Sequence, residues 1–357
     1  MKRTLALTLL LTLLFCGASF CEAFEGEDDR VYTMVDEAGA EITQRMGRMY
    51  EGDEYISGDN RLYRVISVDD ENGRAVAQCL GDEPGDAVSA FAALADKADT
   101  KKLICMYSTH SDESYIPGDG ESSLLKDAGI YDVGEALKKN LEEKGIDVTY
   151  SRETFLPHDA GAYRRSRSVA AELMEKNPDA LIDIHRDGVP ASQYETEVEG
   201  NDISKVRLFV GKSNADAAEN RAFAKKLKAV ADDEYPGLVK DIYIGKGNYN
   251  QDLYPRAILL EFGTHRIEKQ KAIDATEYMA DVIYQTLYNE KSAAGKTGKE
   301  EKSGAAKGIG WLIGLAIVAA IAFALVATGS FRGAGDKLKG TFREVTGGAF
   351  GGKKKKE

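Results

Sequence analysis

Apolar and polar residues alternate along this chain in two rhythms. Near the amino end, Val31-Tyr-Thr-Met-Val35 and Leu62-Tyr-Arg-Val-Ile-Ser-Val68 read as strands of period two. Asp36-Glu-Ala-Gly39 supplies a turn after the first. Asp69-Asp-Glu-Asn-Gly73 closes the second, and a further strand begins at Arg74 and runs to Cys79. Residues 25–82 are therefore expected to form a small all-β module, and no catalytic cluster stands out in it.

After a linker over 83–101 the rhythm changes, and short apolar strands alternate with helical stripes. Strands are predicted at Lys102 to Tyr107, Asp147 to Tyr150, Ala180 to Ile184, Val206 to Val210 and Ala257 to Leu260. Between them, Val133, Leu137 and Leu141 mark one helix face, Val169 and Leu173 a second, and Phe223, Leu227 and Val230 a third. A last stripe runs through Ala272, Met279, Ile283 and Leu287. Near-continuous apolar strands separated by helices predict an α/β domain over 102–290, with a mostly parallel, twisted sheet and helices on both faces.

The ends of the chain depart from both rhythms. Lys2 and Arg3 precede an apolar run from Leu5 to about Phe20, which predicts a secretory signal over 1–23. Residues 291–307 are polar and rich in Gly, Ser and Lys, as a flexible tether would be. Residues 308–331 carry no charge and are long enough to cross a bilayer as a helix. The tail, 332–357, is basic and ends in the run Lys353 to Lys356, so it is expected in the cytoplasm and the catalytic domain outside it.

Charge and cysteine usage narrow the picture. A formal net charge of −12 over 357 residues argues against a nucleic-acid partner. Of the four cysteines, Cys16 and Cys21 lie in the signal. Cys79 and Cys105 do not make a disulfide scaffold, and Cys105, in an apolar strand, is expected to be a buried thiol.

The candidate chemistry gathers at strand ends. Ser108-Thr-His110-Ser-Asp-Glu113 follows the first α/β strand, His185-Arg-Asp187 follows Ile184, and Glu261 follows Leu260. Sites in open α/β sheets form beyond the carboxyl ends of strands. His110, Glu113 and His185 match a catalytic zinc site of three protein ligands with one position left for water. Glu261 is then the base that takes a proton from the activated water. Asp183, on the same strand face as His185, is placed to orient a ligand. Glu121 competes with Glu113 for the carboxylate position, and His158 and His265 are reserve ligands expected in solvent.

These residues resemble the stage II sporulation protein P family. The resemblance rests on Tyr107-Ser-Thr-His-Ser-Asp-Glu-Ser-Tyr115, Ala162-Tyr-Arg-Arg-Ser-Arg167, Asp183-Ile-His-Arg-Asp-Gly188, Gly247-Asn-Tyr-Asn-Gln-Asp252 and Leu259-Leu-Glu-Phe-Gly263, within residues 101–290. It implies a zinc-dependent N-acetylmuramoyl-L-alanine amidase that removes stem peptides from peptidoglycan and also cuts peptide cross-links. It further implies action during sporulation with the stage II sporulation proteins D and M. Where the family often has His-Thr-His, this chain has Ser108-Thr109-His110, so the first of those histidines is not an essential ligand here. Arg164, Arg167 and Arg186 are candidates to hold carboxylates of the stem peptide. Asn248 and Gln251 are candidates to bond its backbone. A metallocarboxypeptidase and a non-catalytic wall-binding scaffold are the competing readings.

Overall fold

The computed structural model describes residues 30–83 and 101–289. The predicted signal, most of the linker, the tether, the membrane span and the basic tail lie outside those residues. Among the described residues no helix is long and apolar enough to cross a membrane.

Residues 30–83 form β1 (Val31–Val35), β2 (Glu41–Met46), β3 (Glu54–Ile56), β4 (Arg61–Asp69) and β5 (Arg74–Asp82). The rest comprises β6 (Leu103–Tyr107), α1 (Ile116–Asp119), α2 (Gly129–Glu143), β7 (Asp147–Tyr150), α3 (Ala162–Met174) and β8 (Ala180–Asp187). After these come β9 (Glu195–Val198), β10 (Asn201–Ser204), β11 (Val206–Gly211), α4 (Ala217–Glu234), β12 (Val239–Gly245), β13 (Ala257–Thr264) and α5 (Lys269–Tyr288).

The amino-terminal strands are not a separate module. One eleven-stranded sheet runs β2-β1-β5-β4-β3-β12-β11-β13-β8-β6-β7, because β3 pairs antiparallel with β12. The sheet is mixed. Strands β7, β6, β8 and β13 run parallel, β11 pairs with β13 antiparallel, and β12 follows β11 in parallel. The mostly parallel sheet predicted from sequence therefore holds for one end only. The short hairpin of β9 and β10 stands apart.

The period of two sorts the core into two faces. Even-numbered side chains such as Ile104, Met106, Ile182, Ile184 and Ile258 point to one face, where Val133 and Leu137 of α2, Phe223 and Leu227 of α4, and Met279 and Ile283 of α5 bury them. Odd-numbered Cys105, Tyr107, Leu181 and Ala257 point the other way and meet Val169, Ala170 and Leu173 of α3. On that second face Phe209, Tyr243 and Leu259 are covered instead by Tyr32, Met34, Met49, Tyr55 and Tyr63 from the amino-terminal strands. Those strands therefore do on one half of the face what a helix does on the other. Cys105 is a buried free thiol, as its apolar setting suggested, and Cys79 is free as well.

Candidate metal centre and its cleft

The site is built around β6, β8 and β13. His110 and Glu113 lie in a tight turn after β6, closed by Glu113 N donating to His110 O at 3.1 Å. A spacing of three in such a turn puts both side chains on one side. His185 lies within β8, which continues to Asp187, and Glu261 lies within β13; the two are register partners. These residues are odd-numbered and so face the side carrying α3. The site therefore lies against a sheet face rather than beyond the strand ends, a correction to the expected placement.

One donor atom from each of His110, Glu113 and His185 can be chosen so that all lie within 4.8 Å of one another. A ring nitrogen of each histidine, Nδ1, lies 3.6 Å from an oxygen of Glu113. Glu121 is exposed and outside this cluster, so Glu113 is the carboxylate brought to the histidines. Glu113 is buried and fixed: Arg186 N donates to its Oε2 at 2.9 Å. Burial alone pushes its carboxyl up, but the Arg186 guanidinium and His185 hold it well below the usual carboxylate range. Burial pushes His110 down to about 4, so that its imidazole is neutral at pH 7 and able to ligate. Desolvation also opposes protonation of His185, yet Asp183 and Glu113 raise it well above the ordinary value.

Asp183 anchors the other side of the centre. It accepts hydrogen bonds from Thr109 N at 2.8 Å and Thr109 Oγ1 at 2.7 Å, tying the His110 turn to β8. Its Oδ1 lies 3.0 Å from His185 Nε2. That contact lacks hydrogen-bond geometry, and Nε2 is a buried ring nitrogen without a bonded partner among the described residues.

Glu261 sits on the wall of the same cavity, which has a volume of about 330 Å³ and includes His110, Glu113 and His185 in its lining. Tyr194 OH donates to Glu261 Oε2 at 2.8 Å, and Arg207 Nη1 lies 3.6 Å away. Burial, with the nearby Asp187 carboxylate, pushes Glu261 up to about 7. Beneath it, Arg207 is fully buried and binds Asp241 through Nε at 2.7 Å and Asp187 through Nη1 at 2.9 Å. It also donates to Thr43 Oγ1 and Gln44 O of β2, each at 2.9 Å. Arg207 reaches this position because β11 runs antiparallel to β13 and pairs it with Glu261.

Four of the residues suggested as substrate contacts lie outside the cavity lining. Arg164 is exposed on α3. Arg167 forms a two-point ion pair with Asp252, at 2.8 and 2.7 Å. Gln251 is buried, accepting from Gly211 N at 2.8 Å and donating to Phe209 O at 2.9 Å, so it closes off the end of β11. Asn248 has a buried Oδ1 and likewise does not line the cavity. Arg186 does line it, but its guanidinium donates to Ser114 O and Ser122 O, bracing the loop behind Glu113. His265 accepts from Arg266 Nε and stands apart. His158 is not in bulk solvent as expected: it stacks on His110 with centroids 4.0 Å apart, and its Nδ1 lies 3.0 Å from Asp112 Oδ1. The sequence reading also missed Tyr194, Arg207 and the contribution of β2, which carry no motif and are brought in by strand pairing alone.

The fold and site define a mixed α/β protein with a His-Glu-His cluster and a buried carboxylate facing one cleft. A family model described as Stage II sporulation protein P matches residues 38–284, and the chain belongs to that family. The match begins between β1 and β2, so β2 to β5 lie inside the family match and β1 precedes it. The stage II sporulation protein P of Bacillus subtilis (strain 168) is 30% identical over 222 residues, covering 56% of this chain and 55% of the relative. The match thus spans about half the length of that curated relative. Among solved structures, the N-acetylmuramoyl-L-alanine amidase from Clostridium difficile 630 aligns at 17% identity and a TM-score of 0.36, over 55% of this chain and 100% of its own. The amidase AmiC2 of Nostoc punctiforme aligns at 17% identity and a TM-score of 0.34, over 54% and 98%.

Proposed function

We propose that this protein is a zinc-dependent peptidoglycan hydrolase, an N-acetylmuramoyl-L-alanine amidase with endopeptidase activity on cross-links, acting in sporulation. The observation that carries the reading is the convergence of His110, Glu113 and His185 on one cavity whose wall presents Glu261. Two imidazoles and one carboxylate are a donor set that suits a catalytic zinc, and Nδ1 of each histidine is turned toward the Glu113 carboxylate that would share it. An ion held there supplies Lewis acidity that makes water a nucleophile near neutral pH.

The chain's own groups do the rest. Glu261, held by Tyr194 and beside the Arg207 cation, accepts the proton of the attacking water and returns it to the departing amide nitrogen. Asp183 and Arg186 keep the His110 turn, His185 and Glu113 in register.

The test pairs metal content with product release on the full-length protein. His110→Ala, His185→Ala or Glu113→Ala should each remove most bound zinc. Glu261→Gln should keep the zinc and release stem peptides about 10²–10⁴-fold more slowly. Full zinc occupancy in the histidine variants would move the centre elsewhere. Single terminal residues in place of stem peptides would make the protein a carboxypeptidase, and intact wall after treatment would favour a binding scaffold.

Location and partners belong to the same proposal. The uncharged 308–331 segment and the basic tail support a single span with the catalytic part outside the cytoplasm. External protease on intact protoplasts should then degrade residues 101–289, whereas their protection would reverse the topology. The stage II sporulation proteins D and M are the partners implied by the family.

A further inference from the structure

The strands over residues 30–83 cover a core face, but one stretch of them does more. Arg45, Met46, Gly47, Arg48 and Tyr50 form one side of the cavity that holds His110, Glu113, His185 and Glu261. That wall is pinned to the site. Met46 N donates to Asp187 Oδ1 at 3.0 Å, and Thr43 and Gln44 take hydrogen bonds from Arg207.

Arg45 projects from this fixed strand. Its guanidinium lies over the rings of Phe209 and Tyr243, at 5.0 and 4.8 Å from their centroids, and Nη1 donates to Arg48 O at 3.1 Å. Its Nε is buried with no hydrogen-bond partner. Arg207, close by, is matched by two carboxylates, whereas Arg45 has no carboxylate within ion-pair distance among the described residues, and Glu261 and Asp53 act on it only from farther off. A buried cation without a carboxylate in contact is costly, and an anionic ligand that docks on it relieves that cost. From Arg48 and Tyr50 the cleft continues into a second cavity of about 450 Å³ whose walls include Lys212 and Lys246. Of the cations along this groove, Arg48 is paired with Asp70 and Lys212 lies 3.4 Å from Asp53, and Glu51 shares the wall, which sets Arg45 apart from them.

We propose that residues 30–83 form the substrate-binding wall of the site, and that Arg45 takes a free carboxylate of the peptide being cut. This rests on the amidase reading above and assigns to Arg45, which lines the cavity, the task first suggested for Arg164 and Arg167, which do not line it. Lying over two rings, the guanidinium keeps the planar fork of its terminal nitrogens, which pairs with a carboxylate at two points. A carboxamide at the same place accepts only one such bond and carries no charge.

The experiment uses the full-length protein and soluble muropeptides whose stem peptides end in either free carboxylates or carboxamides. The wild type should prefer the acid by about 10–100-fold in kcat/KM, the size expected of hydrogen bonds to a charged group. Arg45→Gln should bring that ratio close to one, mainly through KM, with cleavage of the amide retained. An unchanged ratio, or an equal loss on both substrates, overturns the role of Arg45 and leaves the amidase reading standing. If the wild type cleaves neither, that reading fails. Calorimetry with the free peptide acid and its amide then decides the carboxylate site by itself: acid-selective binding abolished by Arg45→Gln supports it, and equal binding of both refutes it. Should Arg45→Gln melt out, Arg45→Lys keeps the charge and the ring contacts but loses the fork. Its acid preference is expected to fall at least several-fold, and full preference in Arg45→Lys would overturn the two-point contact.

Discussion

Removing the Arg207 guanidinium tests how the amino-terminal strands and the site are held together. Arg207→Leu leaves Asp241 and Asp187 buried without their shared cation, and leaves Thr43 and Gln44 without a donor. Breaking a buried ion pair from one side costs about 3–5 kcal/mol. The structure argues for the lower end. Lys240 remains 2.9 Å from Asp241, and Asp187 keeps bonds from Met46 N and Gly188 N. A loss of about 3 kcal/mol in a domain of this size lowers Tm by roughly 6–12 °C. Thermal unfolding followed by circular dichroism at pH 7 measures it. The double variant Arg207→Leu, Asp241→Leu removes the stranded carboxylate as well and should recover at least half of the loss. Strict additivity, or a drop of less than about 2 °C in the single variant, would refute the view that this cation organises the junction. Arg207 also lowers the Glu261 carboxyl, so the same variant should shift the rising, acid-side limb of activity to higher pH.

Other outcomes follow from the same geometry. Glu261, pushed up to about 7 by burial and Asp187, must be ionised to act as a base, so kcat/KM should rise with pH through about 7 and Glu261→Gln should lack that limb. The stability sign is opposite. A carboxyl whose folded pKa is raised favours the fold fully below its unfolded value and loses that contribution as pH rises through about 7, so Glu261→Gln should melt higher than wild type at pH 8. Asp183→Ala frees the Thr109 turn and should weaken zinc binding about 10–100-fold, read by competition with a chelator. At Gly188 an added Cβ would stand 1.6 Å from Met46 Sδ and 2.8 Å from its Cβ. Gly188→Ala should therefore cost about 1–3 kcal/mol by pushing β2 off the site, and Met46→Ala in the same chain should restore part of it in a urea melt.

Much of the fold was legible because period and burial agree. Strands β6, β8, β11 and β13 are apolar on both faces and sit between helices whose stripes are equally plain, and each was found within a residue or a few of its place. The misses share a cause. Strand β2, Glu41–Met46, is largely polar because Thr43 and Gln44 meet the buried Arg207 and Arg45 lies over two aromatic rings rather than in an aliphatic core. The hairpin of β9 and β10 turns at Glu199 and Gly200, both with positive φ, and glutamate is a poor advertisement for such a turn. Pairing of β3 with β12 joins segments distant in sequence, and no local pattern encodes that choice of neighbour.

The centre itself was readable for a related reason. His110 and Glu113 come just after an apolar strand and His185 and Glu261 lie in the carboxyl halves of two more, and their spacing is local or set by neighbouring strands. The substrate side was misread because arginine types were assigned without their partners. Arg167 looked free in the sequence, yet Asp252 neutralises it from the far end of the motif that was itself assigned to substrate. Arg45 drew no reading from the sequence, yet strand order sets it against Phe209 and Tyr243 with no carboxylate in contact. A charged residue's task is decided by which opposite charges the tertiary fold leaves beside it. Ligands that share a turn are visible in one dimension; which charges a cation meets is visible only once every neighbour has been placed.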